Sequence, residues 1–137
     1  MYQNTNTVDT RDHFLRIIPP FRIKNGNMVS FRVFRPKDDD PHLSGYLESL
    51  ISKKESLIHF NNFQKTNGNA KLSNCTALAC LSCVFFGTSE LPLNLYKSPL
   101  PDNPAHAHVD FTGFSTDEWD DMAKIMLNKS EQPIIIG

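Results

Sequence analysis

Two segments of the chain combine a helix-start signal with apolar residues at helical spacing. Ser52-Lys-Lys-Glu55 and Ser115-Thr-Asp-Glu118 have the capping-box pattern, in which a serine side chain accepts from the amide three residues on. The first predicts a helix from about Lys53 to Phe63, with Leu57 and Phe60 on one face. The second predicts a helix whose apolar stripe faces the core; the stripe consists of Trp119, Met122, Ala123 and Met126.

Alternation of apolar and polar residues predicts several short strands elsewhere. Residues 21–23 and 29–33 alternate on either side of the turn signal Asn25-Gly26, which predicts a hairpin. Residues 12–18 are instead predicted to form a short helical turn that ends at Pro19-Pro20. Residues 43–50 fit a strand and a helix equally well. Further short strands are predicted at 76–81, 93–96, 106–111 and 134–136.

The order of these elements bears on the fold class. Five or six short strands and two clear helices follow one another without regular strand–helix alternation, which favours α+β over a doubly wound sheet. We therefore expect one small α+β domain at 11–137, with a mixed or antiparallel sheet of about five short strands and two main helices. Residues 1–10 are expected to form a flexible N-terminal tail.

Composition is that of a globular chain. Of 137 residues, 39% are hydrophobic and 21% charged, enough for a buried core in one domain. The longest apolar run, at 77–86, is too short to span a bilayer, and the N-terminus lacks the apolar region of a signal peptide. Together with three unevenly spaced cysteines, these features predict a cytoplasmic protein without membrane association.

Net charge is −1, but the two ends of the chain differ in sign. The N-terminal segment 9–37 holds seven basic residues and two acids, whereas 102–137 holds seven acids and two bases. Such asymmetry suits a face for an anionic partner. Alternatively, the two ends pack together and neutralise each other, the reading we favour because nucleic-acid modules are usually more basic overall.

The three cysteines have the spacing Cys75-x4-Cys80-x2-Cys83. This matches the first three ligands of a plant-type iron–sulfur loop. The chain has no fourth cysteine, however, and apolar residues replace the glycines of such a loop. The cysteines are therefore predicted to be small buried hydrophobes, and neither a metal nor a cofactor is predicted.

The segment PAHAHVD holds the most conspicuous polar residues. On a strand, His106, His108 and Asp110 share one face, but residues i and i+4 lie roughly 13 Å apart, too far for all three to bind one ion. A general acid–base site is one reading, with His106 and Asp110 as catalytic candidates and Arg35 holding an anionic substrate. The alternative is that 107, 109 and 111 face the core and the polar residues face water.

Basic and aromatic residues are interleaved at 31–35. Arg32 and Arg35 lie beside Phe31 and Phe34, a combination that can pair with phosphates and stack on the bases of single-stranded nucleic acid. Phe31 also suits a core position. Arg32, Arg35 and His108 are accordingly candidate binding residues.

Two longer segments resemble a group of short bacterial proteins for which we know no activity. The segments are IIPPFRIKNGNMVSFRVFRPKDDDPHLS and ELPLNLYKSPLPDNPAHAHVDFTGFS, and the shared pattern is FRP, then LS, then PxHAxVDF. In that pattern His106 is the histidine of interest, and His108 stands where an aliphatic residue is usual. The chain departs from the pattern at 45–48, where an acidic run is expected. The resemblance implies a bacterial source and assigns no catalytic residue.

The expected function follows from these features together. No complete catalytic set is present, and bipolar charge with apolar strands suits docking to a partner. We expect a small protein-interaction module, a non-catalytic part of a larger, phage-defence complex. The alternatives are an enzyme whose cleft uses Arg35, His106 and Asp110 on an anionic substrate, and a weak binder of single-stranded nucleic acid.

Overall fold

The computed structural model describes residues 7–24, 28–131 and 133–135. Its two α-helices, each of 14 residues, are α1 (Lys53–Thr66) and α2 (Thr116–Lys129). Its strands are β1 (His13–Ile18), β2 (Ile23–Lys24), β3 (Met28–Val29), β4 (His42–Leu47), β5 (Ala77–Ser82), β6 (Asn94–Lys97), β7 (His106–Asp110) and β8 (Ile134–Ile135).

Six of the strands form one sheet in the order β6-β7-β4-β1-β5-β8, and every pairing in it is antiparallel. Five of these strands have four residues or more, whereas β8 adds two residues at one edge. Strands β2 and β3 form a separate two-stranded hairpin. The predicted α+β class, with two main helices and about five short antiparallel strands, is confirmed.

The helices lie on opposite faces of the sheet. On one face, α2 and a 3-10 turn at Phe31–Phe34 cover a core that includes Phe14, Leu47 and Phe111. On the other, α1 packs against β1 and β5 over a smaller cluster. Because β1 and β5 are buried on both faces, their apolar residues run continuously and do not alternate.

Helix α1 packs on β1 and β5 and leaves β7 uncovered, so the burial of residues along β7 alternates. Ala107 and Val109 are fully buried beneath the α2 layer, while His106, His108 and Asp110 are half-buried on the opposite face. This face of β7 continues onto β4 through direct pairing. We call this polar face of β7 and β4 the polar half-sheet. It lies beside α1, next to the apolar face of β1 and β5 that α1 covers.

Two sequence predictions are wrong. Residues 12–18 do not form a helical turn, since strand β1 occupies 13–18. Burial on both of its faces removes the alternation that marks a strand in the sequence. Residues 29–33 do not continue as a strand: after Val29 the chain turns at Ser30, whose side chain accepts from Arg32 N, into a 3-10 helix. That turn brings Val33 and Phe34 into the core.

The predicted helix starts, the segment 43–50 and the hairpin differ from the structure mainly in their boundaries. Both helices are capped by the predicted serines, and the ambiguous segment 43–50 is strand up to Leu47 and a turn at 48–50. The hairpin forms only between Ile23–Lys24 and Met28–Val29, because Pro20–Arg22 is a 3-10 helix and not strand. Its predicted turn at Asn25-Gly26 lies outside the described residues, as does most of the predicted tail. Within that tail, Thr7 pairs with Tyr96 and Val8 packs on the core. Among the described residues, the helices are all too short or too polar to cross a membrane.

Candidate functional site

Two adjoining cavities separate α1 from β4. One, of about 240 Å³, reaches toward His106 and the loop that precedes β7. The other, of about 440 Å³, reaches toward the basic segment that follows β1. Their walls share five residues, and we refer to the combined space as the α1 cleft: Arg16, Ile17, Ser44, Phe60 and Gln64.

Arg16 lies where the sheet opens toward this cleft. Strands β1 and β4 pair at Phe14–Leu47 and Leu15–Tyr46 and make no further described pairing. The Arg16 side chain instead links the two segments, since Nε donates to the Val33 carbonyl at 2.9 Å and Nη1 to the Ser44 carbonyl at 2.7 Å. Its guanidinium is thereby held in one orientation by main-chain atoms.

The charge of Arg16 has no acidic counterpart in the part of the chain that the structure describes. Within the described residues no carboxylate lies in ion-pair range of it, and Nη2 makes no hydrogen bond yet is not sealed from solvent. Burial, and next the nearby charge of Arg22, lower the pKa of Arg16 to about 10. The group stays positive at neutral pH, so the cleft holds a half-buried cation with free donors.

The second cavity is lined by further cations. Besides Arg16, its wall includes Arg22, Arg32, Arg35 and Lys37, against one carboxylate, Asp40, which bonds to His42. Arg22 and Arg32 also stack over the rings of the phenylalanines that precede them, at 4.9 and 5.6 Å from the ring centroids. Arg32, a predicted binding residue, thus faces this cavity.

Arg35 is committed to other partners. Its Nε donates to Asp120 on α2 at 2.5 Å, and its Nη1 lies 2.8 Å from Asp38 and donates to the Pro36 carbonyl. Hydrogen bonds from Arg35 to Asp38 and then Asp120 raise the pKa of the guanidinium. The side chain ties the 3-10 segment to α2, and it lines a different cavity from His106.

The first cavity has two histidines with fixed protons. His106 Nδ1 lies 2.8 Å from the Ser98 carbonyl, which can only accept, so Nδ1 carries a proton and Nε2 is left for the cleft. His59 Nε2 donates to the Asp102 carbonyl at 3.1 Å, and its Nδ1 lies 2.9 Å from the Tyr46 hydroxyl. Burial raises the pKa of Tyr46, which keeps its hydroxyl neutral.

His108 and Asp110 lie farther along the polar half-sheet and do not line the cleft. The ring of His108 contacts that of His42 edge-on at 5.0 Å, and burial, then the charge of His42, lower the pKa of His108. Asp110 accepts from the Thr112 amide at 2.9 Å and lies 3.7 Å from His42 Nε2. The three predicted residues of β7 therefore separate into His106 inside the cleft and the other two outside it.

The cysteines do not form the iron–sulfur loop whose first three ligand positions they match in spacing. All three are free and buried. Cys80 and Cys75 belong to the core beneath α1, whereas Cys83 belongs to the core beneath α2. Burial raises the pKa of each thiol, to about 11 for Cys75 and Cys80 and about 12 for Cys83.

Three residues of the cleft escaped the sequence analysis as site candidates. Arg16 looked like one basic residue among seven, and Tyr46 and His59 lie in segments without a motif. A single signal pointed to Arg16, namely a charged residue within the apolar run FLRII. Such a residue is either paired or functional, and this pattern suffices to single it out.

Comparison of the chain with protein-family models, with curated proteins and with solved structures returned no match. Its function must therefore be inferred from its own side chains.

Proposed function

We propose that the protein binds a mononucleotide in the α1 cleft, with the phosphate on Arg16. The observation that carries the proposal is this half-buried guanidinium, which main-chain bonds orient and which lacks a carboxylate partner among the described residues. A buried charge is costly unless it is paired. A phosphate dianion would be the missing partner of this charge, and its oxygens would accept hydrogen bonds from the free Nη2 group.

The surrounding charge supports an anion. Arg22, Arg32 and Lys37 line the same cavity, and none of them lies in ion-pair range of a described carboxylate. These side chains line the same wall as Arg16 and would attract an anion to the cleft. A mononucleotide needs one well-oriented cation, and Arg16 provides it.

The apolar side of the cleft supports a planar group on the ligand. Phe63 and Leu100 line the first cavity and are 48% and 45% exposed, large values for apolar side chains on a concave wall. A nucleobase stacks on such an aromatic face. His106 Nε2 and the Tyr46–His59 pair supply polar contacts nearby for a sugar or base edge.

Calorimetric titration with adenosine monophosphate, adenosine and inorganic phosphate tests the proposal. We expect saturable binding of adenosine monophosphate, and about tenfold to hundredfold weaker binding by Arg16→Met, since a hydrogen bond to a charged group contributes about 1.5–3 kcal/mol. Phe63→Ala should weaken binding of the nucleotide about tenfold through lost stacking, with little effect on inorganic phosphate.

Arg11→Met is the matched control. Arg11 is exposed, pairs with Asp9 at 2.9 Å and lies outside the cleft, so the variant should bind like the wild type. Equal affinity of wild type and Arg16→Met for adenosine monophosphate would refute the proposal. Circular dichroism on each variant separates lost binding from lost folding.

The other functions stay predictions. A protein partner, a bacterial phage-defence complex and binding of single-stranded nucleic acid have no contact in the structure that favours them over the cleft ligand. Catalysis through Arg35, His106 and Asp110 is the least favoured, because Arg35 is paired with acids and Asp110 lies outside the cleft.

A further inference from the structure

A second group of polar residues lies on the same face of the sheet as α1, away from the cleft. One ligand atom each of His13, Cys80 and Glu131 lies within 4.8 Å of the other two. They come from three separate segments: the start of β1, the middle of β5 and the chain that follows α2. A nitrogen, a sulfur and a carboxylate oxygen therefore converge without any motif in the sequence.

Main-chain bonds fix this convergence. His13 pairs with Ser82, and Leu15 pairs with Cys80, so His13 and Cys80 are diagonal neighbours on one face of adjacent strands. The Glu131 amide donates to the Cys80 carbonyl at 2.9 Å, which holds the third residue beside the second. Two of the three side chains thus start from paired strands, and a main-chain hydrogen bond places the third beside them.

We propose that His13, Cys80 and Glu131 bind one Zn²⁺ ion, with a water in the fourth position. Imidazole, thiolate and carboxylate are the three ligand types that zinc takes, and three protein ligands with one open position is its usual catalytic arrangement. Thiolate disfavours the hard cations Mg²⁺ and Ca²⁺. The site belongs to different residues from the α1 cleft and does not depend on the proposed nucleotide.

The surroundings fit an ion at this place. Glu48 Oε1 lies 3.8 Å from His13 Nδ1, too far for a hydrogen bond but close enough to place negative charge beside the histidine, and its other oxygen pairs with Lys53. His13 and Glu48 also line an open surface concavity, so the histidine ligand is accessible from solvent. With Cys80 as thiolate, the charges of two glutamates, one lysine and Zn²⁺ sum to zero.

Metal binding by the full chain, purified without a polyhistidine tag and kept reduced by a non-thiol reductant, tests the site. We expect about one zinc per chain after removal of excess metal. The cobalt-substituted protein should show a thiolate-to-cobalt charge-transfer band in the near ultraviolet. Cys80→Ser should abolish that band and weaken zinc binding about tenfold or more.

Cys83→Ser is the matched control, because Cys83 is equally buried but lies in the core on the other face. It should keep both the band and the zinc. Glu131→Gln changes an exposed side chain, so it folds even where Cys80→Ser does not; we expect it to weaken zinc binding about tenfold while the band remains. Zinc affinity unchanged in either Cys80→Ser or Glu131→Gln, or a cobalt form without the band, would overturn the site.

Discussion

At the scale of single residues, the structure explains why position 45 holds a glycine. It stands at the start of the segment where the resemblance led us to expect acidic residues. A Cβ at this position would lie 2.4 Å from the ring of Phe14 and 2.6 Å from the Leu15 carbonyl. Strand β4 therefore passes so close to β1 that only glycine fits, and this close approach lies beside Arg16.

We predict that Gly45→Ala lowers the free energy of unfolding by about 2–3 kcal/mol, because the ring of Phe14 and the strand must move apart to make room. Chemical denaturation measures the change. Ser44→Ala, an exposed change at the neighbouring position, is the control and should stay within about 0.5 kcal/mol of the wild type. A Gly45→Ala protein as stable as Ser44→Ala would contradict the packing described here.

At the scale of elements, both helices begin at a Ser-x-x-Glu sequence, but the two reciprocal hydrogen bonds of the capping box are described only for α2. In α2, Ser115 Oγ accepts from Glu118 N at 3.2 Å, and Glu118 Oε1 accepts from Ser115 N at 2.9 Å. In α1, the described cap is one-sided, from Glu55 N to Ser52 Oγ at 3.1 Å. Helix α2 also buries its whole apolar stripe, so loss of its N-terminal cap should affect core packing more than loss of the cap of α1.

We predict that Ser115→Ala destabilises the protein by about 1 kcal/mol, the usual cost of a lost N-cap. Thermal unfolding followed by circular dichroism measures it. Thr116→Ala changes an equally exposed residue one position later and should have little effect. If the two variants unfold at the same temperature, the capping box does not contribute as its geometry indicates.

At the scale of the whole molecule, the opposite charges of the two ends are partly accounted for. Arg35, from the basic N-terminal segment, pairs with Asp120 of the acidic C-terminal segment, and its guanidinium also lies 5.6 Å from the ring of Trp119. This agrees with the alternative in which the two ends neutralise each other. Four other bases of the N-terminal segment line the α1 cleft, where the proposed anion binds: Arg16, Arg22, Arg32 and Lys37.

Stability of the whole protein should fall as the pH is lowered. The pKa of His108 is below its ordinary value, so the unfolded chain takes up a proton that the folded state resists, and stability is lost as the pH falls through about 6.5. Hydrogen bonds from Thr112 lower the pKa of Asp110, so its contribution is lost as the pH falls below about 4.

Denaturant midpoints between pH 7 and pH 3 test this dependence. We expect His108→Gln to flatten the curve between pH 7 and pH 5, and Asp110→Asn to flatten it below about pH 4, so each variant serves as the control for the other. The same slope between pH 7 and pH 5 in wild type and His108→Gln would count against the assignment.

The sequence by itself determined the α+β class, both helix starts, the core stripe of α2 and the alternating strand β7. These features depend on neighbours within one turn of a helix or along one strand, and the pattern records such neighbours directly. It also selected His106, Arg32 and the basic segment, three parts of the cleft, from residue type alone.

Tertiary structure decided the rest. Strand β1 was missed because both of its faces are buried, a fact that depends on which helices cover it. Arg16 became the centre of the proposed site only where β1 and β4 separate, and Arg35 was removed from it by Asp120, 85 residues away. The His13, Cys80 and Glu131 cluster joins three distant segments, because contacts between them follow from sheet order and not from spacing along the chain.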